Sequence, residues 1–411
     1  MLYHLYEMQH AAVAPMRFIA DHGQHALRNP FNPLSYTVGG RLWAAAFDVF
    51  EHATRRYGKP RFDLDETMID GVPVPIEERI VLRKTFGQLK HFERQTEPRH
   101  DPTLLIVAPM SGHYATLLRG TVEAMLPDHE VYITDWRDAR NVPLFEGNFD
   151  LDDYIDYLID FLHFLGPNTH VMAVCQPSVP VLAATALMAT NNDPCAPAST
   201  TLMGGPIDTR ESPTEVNLFA KSHGIDWFDK HVITRVPLPN AGFMRQVYPG
   251  FLQLAGFLSM NLDRHIDAHW QMFLHLVSGD DESADAKRDF YEEYRSVMDL
   301  TAEFYLQTIE TVFHRHALPK GEMVSRGRKV EPKAITRTAL MTVEGERDDI
   351  SGVGQTRAAH KLCSALPTEM RDHWEVPGVG HYGIFNGRRW RNEIAPRIKS
   401  FIRAHDAEKL A

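Results

Sequence analysis

The sequence predicts an α/β protein, a mainly parallel sheet interrupted by an inserted, mostly helical cap. Short, nearly continuous apolar runs alternate with helical patterns between residues 103 and 203, as expected for strands buried on both faces and joined by right-handed crossovers. That alternation stops after about residue 207 and resumes near residue 339. Within it, the run His170-Val171-Met172-Ala173-Val174 ends abruptly at Cys175-Gln176-Pro177-Ser178, and Val179 to Met188 then read as a helix. Strand, polar turn and helix in that order form an elbow that lifts one side chain above the C-terminal edge of a sheet.

Four segments follow. Residues 1–95 read as a helical leader with early strands: Leu2, Leu5, Met8, Ala12, Met16 and Ile19 recur at helical spacing, as does part of Leu42 to Phe50. Pro30, Pro33, Pro60, Pro73 and Pro75 break up this region, and Ile80-Val81-Leu82 through Phe92-Glu93 supply strands. The leader's apolar stripe is expected to pack on the core; the alternative is an apolar patch that meets a water-insoluble partner. Residues 96–206 form the first part of the core, with strands at Thr103 to Ala108, Val131 to Thr134, His170 to Val174 and Ser199 to Met203. Helices fall between them, one ending near Met125 and one over Leu151 to Leu165. Residues 207–332 are the cap: Phe243 to Val277 is rich in Phe, Leu, Met and Trp, Gly279 to Lys287 is an acidic connection, and Ala302 to Phe313 reads as a helix. Residues 333–411 complete the core with strands at Ala339 to Val343 and His373 to Val376 and a closing helix from Arg388 through Ile402.

Composition narrows the function classes. The formal charge of -11 argues against nonspecific binding to nucleic acid or anionic membranes. Three cysteines cannot build a disulfide framework, and none has the paired spacing of a zinc site; so few fit a reducing compartment. Met1 to Glu7 lacks the basic and apolar regions of a secretory signal, and no apolar stretch is long enough for a transmembrane segment. A cytoplasmic location is expected.

Chemistry concentrates at strand ends. At the elbow, Ala173 and Pro177 stand where glycines flank the usual serine; alone, a cysteine ending a buried strand is more often a small hydrophobe than a nucleophile. Two later loops change that reading. Glu344-Gly345-Glu346-Arg347-Asp348-Asp349-Ile350 and Pro377-Gly378-Val379-Gly380-His381-Tyr382-Gly383 each follow a predicted strand. The order nucleophile, acid, histidine is that of an α/β-hydrolase triad. His381 would take the Cys175 proton and later activate water, and Asp348 would hold the far imidazole nitrogen. Asp349 competes for that role; Asp348 is preferred because it lies three residues beyond Gly345. The backbone amides of Gln176 and Met110, with Ser111 as register alternative to Met110, are candidates for the oxyanion hole. His113 either contacts substrate or makes a structural hydrogen bond; Trp136 forms an acyl-site wall or a packed core aromatic.

With these residues in place, the sequence resembles the intracellular poly(3-hydroxybutyrate) depolymerases, also called polyhydroxyalkanoate depolymerases, of the α/β-hydrolase superfamily. The resemblance runs through nearly the whole chain. It is carried by Val174-Cys175-Gln176-Pro177-Ser178, Ala108-Pro109-Met110-Ser111-Gly112-His113, Gly345-Glu346-Arg347-Asp348-Asp349-Ile350 and Gly378-Val379-Gly380-His381-Tyr382-Gly383. It implies a triad of Cys175, Asp348 and His381, hydrolysis of amorphous stored polymer to 3-hydroxybutyrate oligomers or monomer, association with storage granules, and no cofactor or metal. Tyr248, Phe251, Leu252, Phe257, Met260, Trp270, Met272 and Phe273 of the cap are candidates to line a groove or touch a granule. The competing readings are a polyhydroxyalkanoate synthase-like acyltransferase, a small-ester or thioester hydrolase, and a non-enzymatic granule-binding scaffold.

Overall fold

Strands buried on both faces favour apolar residues, and the central runs largely supply them, with His170 and Ser199 to Thr201 as buried polar exceptions. The computed structural model describes residues 2–97, 99–260 and 292–406. Among these, strands β1 (Glu66–Ile69), β2 (Val72–Arg83), β3 (Gly87–Arg94), β4 (Thr103–Val107), β5 (Glu130–Trp136), β6 (His170–Val174) and β7 (Ser199–Met203) lead into an inserted segment. Within the insertion lie the short strands β8 (Thr234–Arg235), β9 (Gln246–Tyr248), β10 (Leu300–Thr301), β11 (Val324–Ser325) and β12 (Arg328–Lys329); β13 (Ala339–Gly345) and β14 (Arg371–Val376) follow. The main sheet has the order β1-β2-β3-β5-β4-β6-β7-β13-β14. It is parallel from β5 to β14 and antiparallel from β1 to the β3–β5 pair. This is an α/β-hydrolase fold with helical insertions.

Alternate side chains of each buried strand enter opposite cores, as the two-residue strand period requires. Leu105, Val107, Val171, Ala173 and Leu202 face one core with helices α4 (Leu151–Leu165) and α5 (Ser178–Thr190). Leu104, Ile106, Met172, Val174 and Met203 face the other, against Val122 of α3 (Arg119–Met125) and Ile398 of the 395–404 helix. The start of α4 is fixed by a reciprocal cap: Asp150 accepts from the Asp153 N–H at 2.8 Å, and Asp153 accepts from the Asp150 N–H at 2.9 Å. Gly166, at φ +87°, ends it. Each fully buried Leu, Ile or Phe on its inner face contributes about 1.5–3 kcal/mol.

The leader differs from expectation in one important respect. The predicted helix is present as α1 (Leu2–Arg28), which pairs with α2 (Val38–Thr54). Its apolar stripe does not pack on the core. Leu2, Leu5, Met8, Met16 and Ile19 are exposed, as are Phe18, Phe31 (93%), Tyr36 and Trp43 (62%). The buried contacts come from other positions: Tyr3 donates to Asp299 Oδ2 at 2.8 Å and meets Phe251 edge-on, while Tyr6 stacks on Phe251 at 4.1 Å. Pro73 and Pro75 do not break the chain but lie within β2, opposite β1. The insertion carries helices α6 (Glu215–Ser222), α7 (Ile225–His231) and α8 (Gly250–Met260), together with the 302–308 helix, which continues as a wider π-type turn to His314. Strands β8, β9 and β10 form a small antiparallel sheet there, too short to show a two-residue period in the sequence.

Candidate active site

Cys175 stands at the bend between β6 and α5 with φ +67°, a left-handed backbone that costs a non-glycine residue energy and marks a strained turn. Two bonds hold it there: the Cys175 N–H donates to the Met203 carbonyl at 2.7 Å, and the Cys175 carbonyl accepts from the Ser178 N–H at 3.1 Å. The next strand must come close. A Cβ on Gly205 would lie 2.0 Å from Ser178 Oγ and 2.8 Å from the Cys175 carbonyl oxygen, so only glycine fits.

Asp348 and His381 are brought together beside this bend. His381 Nδ1 donates to Asp348 Oδ2 at 2.7 Å, and Asp348 Oδ1 accepts from the amides of Ile350 and Ser351 at 2.9 and 2.8 Å. Asp349 is exposed, so the turn after β13 directs the first of the two carboxylates toward the ring. With Nδ1 occupied, the other ring nitrogen is left for sulfur, and Cys175 lies within hydrogen-bonding reach of the imidazole. Burial pulls the His381 pKa down, but the Asp348 charge and then that of Cys175, with hydrogen bonds to both, hold it well above its ordinary value. A protonated ring beside sulfur is the partner that a cysteine nucleophile requires. Gly204, at φ +54°, passes beneath the pair; a Cβ there would stand 3.2 Å from both Asp348 Oδ2 and His381 Cε1.

The loop after β4 closes the other side. Its first carbonyl, Ala108, accepts from Trp136 Nε1 at 2.8 Å and from the Tyr154 hydroxyl at 3.3 Å. Its far end is tied to the insertion: the Met298 N–H donates to the Gly112 carbonyl, and His113 Nε2 donates to the Tyr294 carbonyl at 3.0 Å. Between these ties, the Met110 N–H donates to Gln176 Oε1 at 3.2 Å. Trp136 is fully buried among Phe149, Tyr154 and Tyr157 and does not line the cavity, so the acyl-wall alternative is replaced by the core one. Its indole N–H makes it a support of the loop. His113 borders the cavity and also makes the structural bond.

Burial lowers the His113 pKa to about 4, partly opposed by the Tyr294 carbonyl; burial likewise takes His170 and His360 to about 4. An unfolded imidazole takes up a proton near pH 6.5, whereas these folded rings resist until about 4. Their contribution to stability is therefore full above pH 6.5 and is lost as pH falls from 6.5 to 4. The expected result is a decline in urea midpoint over that interval, with a shallower decline in His113→Gln.

Cys175, His381, Met110 and Gln176 all open onto a cavity of about 600 Å³, within the usual size of a ligand site. Its far walls are aromatic: Phe219, Phe228, Tyr248, Phe304, Tyr305 and Phe313. Tyr248 is the one proposed cap residue it contains among those described. Phe251 is instead taken up by α1, and Leu252 lies off the cavity lining. The side chains of Phe257 and Met260, and residues Trp270, Met272 and Phe273, fall outside the described residues, as does the 279–287 connection. Phe219 and Phe228 were not anticipated; the spacing Val216, Phe219, Ala220 is the signal for the helix that carries the first of them. Among the described residues no group of His, Cys, Asp or Glu is arranged to hold a metal, and no helix is long and apolar enough to cross a membrane.

The sheet order and a family match together make the chain a hydrolase of the α/β-hydrolase superfamily. Residues 204–406 match the family described as PHB de-polymerase C-terminus, so the chain carries a PHB-depolymerase-type C-terminal domain, and Asp348 and His381 lie inside it. No curated protein matches the chain in sequence. Similar solved structures include the monoacylglycerol lipase of Paleococcus ferrophilus, at 13% identity and TM-score 0.43, covering 74% of this chain and 96% of that one. Naproxen esterase from Bacillus subtilis is 14% identical with TM-score 0.43, covering 88% and 98%. A thermophilic esterase from Thermogutta terrifontis is 13% identical with TM-score 0.42, covering 80% and 99%.

Proposed function

We propose that this chain hydrolyses the ester bonds of intracellular, amorphous poly(3-hydroxybutyrate), releasing 3-hydroxybutyrate oligomers or monomer through an acyl-cysteine. The observation that carries this reading is the buried Asp348–His381 pair facing Cys175 at one end of an aromatic-walled cavity. The PHB-depolymerase-type domain match supports the choice of polyester.

In this mechanism the Cys175 sulfur attacks an ester carbonyl carbon, and the amides of Met110 and Gln176 donate to the oxygen as it gains charge. The ester C–O bond breaks, and the His381 proton passes to the departing alkoxide, giving the alcohol end of the shortened chain. The neutral ring then removes a proton from water, whose oxygen adds to the thioester carbon. The C–S bond breaks, the acid leaves, and the sulfur and protonated imidazole are restored. Asp348 keeps its charge throughout and fixes the ring's tautomer.

Product analysis after incubation with native amorphous granules tests the reading. The expected result is 3-hydroxybutyrate and its short oligomers. Turnover of soluble esters with no release from amorphous polymer would instead make this a small-ester hydrolase. Polymer growth from a hydroxyacyl-CoA would make it a synthase.

Granule association has its own support. The exposed faces of α1 and α2 carry few charges, and several of these are held internally: Arg28 pairs with Asp48, Glu7 with Arg56, and Arg17 donates to the Thr54 carbonyl. Such a surface suits an uncharged polyester better than an anionic lipid. Replacing Phe18, Phe31 and Trp43 together by Glu should lower co-sedimentation with granules about tenfold or more, since each loses most of a buried aromatic's transfer energy. Soluble-ester turnover should persist. Unchanged sedimentation would move the docking surface elsewhere.

A further inference from the structure

The oxyanion site is already occupied by a group from the protein itself. Met110 is buried, and its N–H, the amide placed to receive a substrate's carbonyl oxygen, donates to Gln176 Oε1 at 3.2 Å. Because the backbone N–H can only donate, the side-chain amide must present its oxygen. That oxygen is a carbonyl oxygen, chemically close to the one an ester would bring. Gln176 is also the residue that follows the nucleophile, and both it and Met110 border the cavity.

Only one of the two partners is free to give way. The loop bearing Met110 is pinned before it at the Ala108 carbonyl by Trp136 and Tyr154, and after it through Gly112 and His113 by the 294–298 segment. The Gln176 side chain borders open space. We propose that Gln176 is a placeholder in the oxyanion site: its carbonyl satisfies the Met110 amide in the empty enzyme and swings out when an ester carbonyl arrives. This inference rests on the acyl-transfer reading of Cys175 and Met110 and adds a positioning role for the Gln176 side chain.

The device has a physical purpose. An empty site with a buried, unbonded N–H would be costly, and a neutral amide oxygen removes that cost. On entry, one neutral acceptor replaces another, so displacement is nearly balanced. Once sulfur has added, the charged oxygen is a much stronger acceptor than the glutamine carbonyl, and the placeholder cannot compete with it.

Steady-state kinetics on a soluble p-nitrophenyl ester provide the test. Gln176→Met keeps the length and removes the acceptor; kcat/KM is expected to rise about two- to tenfold, the worth of one net hydrogen bond, with the gain carried by a lower KM. Gln176→Glu supplies a charged acceptor that holds the Met110 amide more tightly; kcat/KM is expected to fall at pH 7 and to recover in part as the carboxylate is protonated. A residue that merely supports the loop would lower kcat/KM in both variants, and that result overturns the proposal. A crystal structure of the native sequence with a trifluoromethyl ketone on Cys175 gives a second readout. The adduct oxygen should lie on the Met110 N–H with the Gln176 side chain turned away; Gln176 still bonded to Met110 overturns the placeholder. Absence of ester turnover in the native protein would instead overturn the acyl-transfer reading itself.

Discussion

Replacing Cys175 by Ala is expected to reduce acid release from amorphous polymer by about 10⁴-fold or more, because in the proposed mechanism its sulfur forms the acyl intermediate. Alanine fits the same bend: the two backbone bonds that hold it, to Met203 and from Ser178, do not involve the sulfur. The variant should therefore remain folded, which circular dichroism and an unfolding midpoint close to that of the native protein would establish. Near-normal turnover in such protein would remove Cys175 from the mechanism. Titration of acid equivalents measures the effect directly.

The second large effect is expected from Asp348→Asn, a loss of about 10³- to 10⁴-fold in kcat. The substitution preserves size but removes the charge that keeps the proton on His381 against the pull of burial. Two observations would accompany it. The alkaline limb of the pH–rate profile should move to lower pH, because the imidazolium is then lost earlier. The stability that the raised histidine contributes is present in full below its ordinary pKa near 6.5 and disappears as pH rises through the higher folded value; the variant should lack it, so its deficit is largest in acid. Asp349→Asn, at an exposed position, should change kcat by less than about threefold, the range of an ordinary surface substitution. A large loss at Asp349 with a small one at Asp348 would reverse the assignment.

The parallel core was legible because its constraints are local. A strand covered on both faces is short and mostly apolar or small, so Thr103 to Val107, His170 to Val174 and Ser199 to Met203 could be read nearly to the residue, although Ser199, Thr200 and Thr201 are buried polar residues. The same holds for α4, whose capping carboxylates and closing glycine surround a regular apolar face. The β1–β2 hairpin was missed for an equally physical reason. Asp70 and Gly71 adopt positive φ, the geometry of a tight two-residue turn, but Pro73 and Pro75 two and four residues later argued against a strand. They are tolerated because β1 and β2 lie at the outer end of the sheet.

Side-chain direction was harder to foresee than the elements. Helical spacing established that α1 is a helix but not which face would be covered; that depended on Tyr3 finding Asp299 and Phe251, residues more than two hundred positions away. The aromatic cavity wall was hidden for the same reason, since Phe219 and Phe228 sit on helices of eight and seven residues whose periodicity is brief. At the candidate site, the order of Cys175, Asp348 and His381 was readable, whereas the bond between the Gln176 side chain and Met110 depends on a rotamer that no pattern records.

The sheet order carries a consequence for biosynthesis. Strand β13 pairs on one side with β7 and on the other with β14, so the carboxylate and the imidazole both arrive with strands made long after the sulfur-bearing one. A nascent chain that has left the ribosome only as far as the insertion contains Cys175 but neither Asp348 nor His381. On the proposed mechanism, ester cleavage would begin only once β14 has paired with β13 and brought the imidazole into place.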